Sequence, residues 1–271
     1  MVRRRAVLRE TLHRFSTADP PDKYDLLAQT NLASWRDSAE RRPESNRICI
    51  VGGDWGEVTL AMTRRHGYCF AALNMANAFV PGGAYVEGAS AQEENMFRRT
   101  NCHFYVGPDE YDATLDQYHP HMTSLLSAEN GRVYLDSENP RVCIRGPEDR
   151  SRSDLGYQWL PDEDVFPFFE LRAAAQDLRD GSAFSEPNAR QRIAAQLDTL
   201  IHHGIRHAVL GASGCGAFLN PAHRIAELYR QEIARRKQNF RVIAFAIRQS
   251  GYGPNNLIPF QQVFADQSLP G

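Results

Sequence analysis

Apolar positions near the start of the chain recur at helical spacing. Val7, Leu8, Leu12 and Phe15 form one stripe, Pro20-Pro21 interrupts it, and the pattern resumes from Tyr24 to Ala39. Residues 1–45 are therefore expected to form an N-terminal helical extension, and residues 46–271 the main domain. From Arg47 onward the pattern changes to short apolar runs that read as strands: Ile48 to Val51, Tyr68 to Leu73, Val133 to Leu135, Val142 to Ile144, Ala208 to Leu210 and Val242 to Ile247. Helical periodicity marks Ala91 to Arg99, Ala189 to His203 and Ala222 to Arg236. Strands alternating with helices predict an α/β fold of three layers, a parallel or mixed sheet with helices on both faces. The polar stretch from Gly146 to Asp164 is expected to be a surface loop.

Composition adds exclusions. With 42% apolar residues, 24% charged residues and a net charge of -2, the 271-residue chain carries no global signature of nucleic-acid binding or disorder. No apolar run approaches the roughly 20 residues of a membrane-spanning helix, and none follows the basic start Met1 to Arg5, so a cytoplasmic protein without membrane or nucleic-acid partners is expected. The five cysteines, Cys49, Cys69, Cys102, Cys143 and Cys215, include no C-x-x-C pair, which argues against a disulfide framework or a zinc knuckle. Only Lys23 and Lys237 are lysines, and neither lies in an apolar or glycine-rich setting, so lysine-dependent chemistry is not expected.

In open α/β sheets ligands bind beyond the carboxyl ends of strands. Three such places are rich in glycine: Gly52-Gly53-Asp54-Trp55, Asn77 to Gly83, and Gly211 to Phe218. A glycine pair after a strand is ordinarily a tight turn, but three at strand ends point to a ligand. The last, G-x-x-G-x-G, offers consecutive backbone N–H groups able to wrap a diphosphate, yet it lacks a Walker lysine and the glycine order of a nicotinamide fold. The middle loop leads into Gln92-Glu93-Glu94 at the start of an amphipathic helix. Acids in a first helical turn commonly just complement the helix dipole. Because neighbours on a helix point about 100° apart, these two cannot flank one anomeric carbon as a paired set, and different tasks are expected of them.

The run Leu73-Asn74-Met75-Ala76-Asn77, the near G-G-G of Gly82-Gly83-Ala84, Gln92-Glu93-Glu94 after a seven-residue gap, and the Gly211 to Phe218 loop together resemble the microbial-type poly(ADP-ribose) glycohydrolases (PARG), which are macrodomains. The resemblance extends from about Arg47 to Ala265. It implies an ADP-ribosyl glycohydrolase without cofactor or metal, acting on ADP-ribose, poly(ADP-ribose) or ADP-ribosylated protein. It further implies that Glu94 is the general acid protonating the leaving oxygen of the ribosyl bond, and that Glu93 holds ribose hydroxyls. Asn77 would contact the distal ribose, while Asn74 would buttress the loop. Gly82 and Gly83, with Gln92 of the motif, and Gly214, Cys215, Gly216, Ala217 and Phe218 would enclose the substrate and its diphosphate. Asp54 would accept from the adenine amino group, although an N-cap aspartate fits the same position. Ala84 replaces the third glycine of the triplet: a positive φ there would cost about 1 kcal/mol, and a methyl group there could crowd the ligand. Tyr85 beside it is expected either to cap the distal ribose or to block a continuing polymer.

Two other readings fit parts of the chain. A non-catalytic ADP-ribose reader would keep the glycine loops but has no need of Glu94. A metal hydrolase built on His119, His121, His202, His203 and His207 lacks the spacing that puts three ligands on one face. Cys215 as a nucleophile is the less expected alternative to a small structural residue in a glycine loop.

Overall fold

The computed structural model describes residues 1–39, 47–249 and 254–265. Its helices are α1 (Val2–Ser16), α2 (Lys23–Ser38), α3 (Trp55–His66), α4 (Gln92–Arg99), α5 (Pro120–Leu126), α6 (Glu186–His202), α7 (Ala222–Arg235) and α8 (Leu257–Phe264). The strands are β1 (Arg47–Val51), β2 (Ala71–Met75), β3 (Tyr111–Asp112), β4 (Gln117–Tyr118), β5 (Tyr134–Leu135), β6 (Arg141–Cys143), β7 (Phe166–Ala173), β8 (His207–Leu210) and β9 (Val242–Ala246). The boundary expected between residues 45 and 46 lies outside the described residues.

The main sheet runs in the order β1-β9-β8-β2-β7-β5, with β6 also paired to β7. Five of its strands are parallel, and β5 and β6 run antiparallel to β7. Alternate residues along each strand face opposite layers, as the strand period requires. Ala71 and Leu73 of β2, Leu171 and Ala173 of β7, and Ile243 and Phe245 of β9 enter one core with α6, α7 and α8. Ala72 of β2 and Phe166 and Phe168 of β7 enter another with Trp55 of α3, Met96 and Phe97 of α4, and Leu8 of α1. The expected three-layer α/β fold is thus observed.

Departures from the pattern reading include two strands of the main sheet. β2 begins at Ala71 and ends at Met75, two residues beyond the expected run, and Tyr68 lies ahead of the sheet with its ring stacked on His207. β7, the longest strand, has no counterpart among the expected strands. Pro167, Glu170 and Arg172 interrupt its apolar run, and proline within a run ordinarily argues against an interior strand. Here Pro167 sits opposite Val142 of the short strand β6, and the two charges are paired with each other inside the protein.

Candidate active site

Because β1, β9, β8, β2 and β7 are parallel, their carboxyl ends share one edge of the sheet, and all three glycine-rich loops leave from it. Asp54 opens α3, where its Oδ1 accepts from the backbone N–H of Gly56 (2.9 Å) and Glu57 (3.3 Å), and Gly67 closes that helix in the left-handed conformation. The same oxygen receives Arg99 Nη1 at 2.6 Å. The N-cap alternative is therefore the one the geometry realises, and Asp54 is buried in an ion pair. Arg99 lies 4.9 Å over the Trp55 ring, bonds Asn95 Oδ1 at 2.9 Å and donates to the carbonyl of Arg145.

The middle loop folds around the start of α4. Gln92 spans the end of β2 like an extra strand residue: its Oε1 accepts from Met75 N (2.9 Å) and its Nε2 donates to the Leu73 carbonyl (2.8 Å). Both ends of this side chain are engaged with backbone, so Gln92 anchors the helix where direct substrate contact had been expected. Glu93 accepts from Asn77 N (2.7 Å) through one oxygen and from Gly82 N (3.1 Å) through the other. Glu94 Oε1 accepts from Ala84 N at 3.2 Å, while Oε2 is buried without a hydrogen-bond partner. Although the two acids leave the helix in different directions, both tips reach Gly83, where an added Cβ would lie 2.7 Å from Glu94 Oε1 and 3.2 Å from Glu93 Oε2. Gly82 and Gly83 have φ of 71° and 57°. Burial pushes the Glu93 carboxyl well above its ordinary range; the Asn77 N–H and the charge of Arg172 oppose that shift, while Glu94 and Glu170 reinforce it.

Asn77 uses its Oδ1 to cap the turn, accepting from Phe79 N (2.8 Å) and Val80 N (3.1 Å). Asn74 points into the interior and donates to Glu170 Oε1 at 2.7 Å, so it ties β2 to β7 rather than supporting the loop. Tyr85 is buried beneath Gly82 against Phe97, with its hydroxyl 2.7 Å from His103 Nδ1, and burial raises its phenol to about 12. This packing corrects the expectation that the ring caps a ribose or blocks a polymer. Ala84 is not among the residues with positive φ, so the strain expected of a methyl group there does not arise.

The third loop sits at the same edge, where Gly211 lies against Met75. Gly214 has a φ of 72°, and Asn220 Nδ2 bonds the carbonyls of Gln176, Gly214 and Phe218, which fixes the loop from within. Gly216 and Ala217 are exposed; Phe218 is half-buried, with the Arg179 guanidinium 4.9 Å over its ring. Cys215 is buried and its thiol is pushed up to about 12 by that burial, the opposite of an activated nucleophile. Among the described residues no group of three histidine, cysteine or acidic side chains could hold a metal ion. No helix among them is long and apolar enough to cross a membrane. The structure thus joins Asn77, Gly82, Gly83, Gln92, Glu93 and Glu94 directly, and links Asp54 to the same helix through Arg99. Arg99 and Arg172 escape the pattern reading because nothing local distinguishes them from solvated arginines.

The family model for the microbial-type PARG catalytic domain matches residues 18–126, which contain the middle glycine loop and both glutamates. Among solved structures, the poly(ADP-ribose) glycohydrolase of Thermomonospora curvata is similar at 22% identity, covering 96% of this chain and 99% of that one, with a TM-score of 0.65. The same enzyme bound to the inhibitor ADP-HPD aligns at 23% identity over 96% and 98% of the two chains, with a TM-score of 0.63. The Deinococcus radiodurans enzyme in complex with ADP-ribose aligns at 22% identity over 92% and 93%, with a TM-score of 0.58. No curated protein sequence matches the chain. The family match bears out the resemblance carried by the Leu73 to Glu94 motifs within residues 18–126, and the structural likeness establishes a PARG-like fold.

Proposed function

We propose that this chain, a PARG-type domain by its family match and fold, hydrolyses the ribosyl glycosidic bond of poly- or mono-ADP-ribosylated protein and releases ADP-ribose, with Glu94 as the general acid. The observation that carries this reading is the state of Glu94: one oxygen is fixed by Ala84 N–H, and the other is buried and unpartnered at the glycine loop. A buried carboxyl oxygen without a partner is costly, and a catalytic role is one of the explanations such a group calls for. Departure of the ribosyl oxygen passes through an oxocarbenium-like state, and a proton delivered from Glu94 to that oxygen lowers the barrier as the bond breaks. The resulting carboxylate then accepts a proton from the attacking water, which completes hydrolysis.

Glu93 has a different task. By gripping Asn77 N and Gly82 N it holds the loop closed on the helix, and the remaining lone pairs of its oxygens are available to ribose hydroxyls. The exposed backbone of Gly216 and Ala217 supports a place for the diphosphate. The test compares wild type with Glu94→Gln on poly(ADP-ribose) and on arginine-, glutamate- and serine-linked mono-ADP-ribosyl proteins. Expected is a loss of about 10²-fold or more in turnover with ADP-ribose binding retained. Equal rates for the two proteins sink the assignment of the acid, whereas binding without turnover by wild type identifies a reader.

A further inference from the structure

The residue that sequence pattern misses most completely is also the one best placed to act on the site from behind. Arg172 is fully buried in β7, opposite Asn74 in the register with β2. Its guanidinium takes both oxygens of Glu170 at 3.1 Å, Glu110 Oε2 at 3.1 Å and the Tyr118 hydroxyl at 3.1 Å, and it lies 4.2 Å from the centre of the Tyr134 ring. Glu110 precedes and Tyr118 belongs to the small hairpin of β3 and β4, whose ends are joined by His119 N donating to the Glu110 carbonyl. Tyr118 N donates to the carbonyl of Phe79 at 2.7 Å, and Phe79 N is held by Asn77 Oδ1. One unbroken chain of hydrogen bonds therefore leads from a buried cation through the hairpin to the loop that Glu93 grips.

We propose that Arg172 is a positioning residue for the Glu93 and Glu94 pair, acting through the Tyr118 hydroxyl and the hairpin to hold the Asn77 to Gly83 loop in register with α4. The proposal rests on the glycohydrolase reading above. Glu170 takes only two of the five N–H donors of this buried guanidinium; the bonds to Glu110 and Tyr118 engage Nη1 and at the same time extend its reach to the loop.

The charge has a second consequence. Glu93 is faced by Glu94 from its own helix, by Glu170 and Arg172 from β7 and by the Tyr118 phenol from the hairpin. Burial, Glu94 and Glu170 all favour its protonated form, and Arg172 opposes them. An ionised Glu93 accepts from both loop N–H groups, whereas protonation leaves one of its oxygens a hydroxyl, a poorer acceptor for its loop N–H. Removing the cation raises the Glu93 carboxyl further, so the loop loses its grip at a higher pH.

The experiment measures kcat, KM and their pH dependence for ADP-ribose release, alongside thermal melts, for wild type, Tyr118→Phe, Arg172→Lys and Arg172→Met. Tyr118→Phe deletes one hydroxyl and should lower kcat about tenfold with little change in KM, the signature of a misplaced acid rather than of lost binding. Arg172→Met should move the acid limb of the profile to higher pH, and Arg172→Lys, which keeps the charge, should restore that limb. A Tyr118→Phe protein with wild-type kcat, whatever its melting temperature, overturns the proposal, as does an Arg172→Lys protein with the full activity and profile of wild type in kcat and pH together. If Arg172→Met fails to fold, the other two variants decide alone. Wild type that releases ADP-ribose from no substrate refutes the underlying reading instead, and the proposal falls with it.

Discussion

Gly83 and Ala84 are neighbours in the same motif, yet the structure asks opposite things of them. Gly83 has a φ of 57°, where an L side chain is strained, and any Cβ there would push on the tip of Glu94 at 2.7 Å. Gly83→Ala is therefore expected to lower kcat/KM at least about tenfold, since a displacement of the acid by less than 1 Å is enough to misalign proton transfer. Ala84 has no such constraint, and Ala84→Gly should change turnover by no more than about threefold while costing roughly 0.5–1 kcal/mol of stability through the extra freedom of the unfolded chain. Steady-state rates and urea unfolding on the two variants measure both. The acids and glycines of the loop were legible in the sequence because their chemistry demands particular residue types at a fixed spacing. Gln92 was legible as part of the motif but not in its task, because bonding to the backbone of β2 depends on where the strand ends. Tyr85 was misread for a similar reason: only packing against Phe97 and His103 decides which way an aromatic beside a loop turns.

At the scale of elements, α1 does more than cover the sheet. Its first turn reaches the second half of the loop, where Arg4 bonds the Gly88 carbonyl at 3.4 Å and Arg5 the Glu87 carbonyl at 3.0 Å. Gly88, with a φ of 90°, lies so close to Met1 that an added Cβ would meet the Met1 carbonyl at 2.8 Å. Arg150, which shares Glu148 with Arg4, bonds the Ser90 carbonyl, and Arg98 of α4 bonds those of Tyr85 and Ala89. The double variant Arg4→Ala, Arg5→Ala should release this segment, with faster hydrogen exchange at residues 85–90 and a severalfold loss of turnover. Unchanged exchange there would show that Arg98 and Arg150 suffice. Periodicity revealed α1, α2, α6 and α7 because their apolar stripes are long, and β1, β8 and β9 because each carries a continuous apolar run, whereas α4, eight residues long, was marked mainly by its acidic motif. It did not reveal β7, whose interior charges are neutralised only by residues distant in sequence, and it could not foresee that α1 touches the loop.

Across the whole molecule, buried carboxylates held by arginines set the response to acid. Against the cost of burial, Arg172 and Arg141 keep Glu170 below the usual carboxylate range, and Arg190 and Arg236 do the same for Glu232. Glu148 is the clearest case. Despite burial, its bonds to Arg4, Arg150 and Tyr157 bring it down to about 2 from 4.5. A group whose pKa is depressed on folding contributes stability above its unfolded value and loses it as pH falls through the folded one. For Glu148 that window runs from about 4.5 down to about 2. The displacement corresponds to at most roughly 3–4 kcal/mol, and solvent access to the half-exposed Arg150 side reduces it to about 1–2 kcal/mol. Glu93 works in the opposite sense, because its raised carboxyl costs stability at neutral pH and that cost is relieved on acidification. Since the depressed acids outnumber it, the fold should weaken steadily below about pH 4.5. Glu148→Gln, which keeps the size of the side chain and removes its charge, should lower the urea midpoint at neutral pH, and its deficit relative to wild type should shrink as pH approaches 2. A deficit that stays constant across that window would mean that Glu148 stabilises the protein by packing and not by its charge.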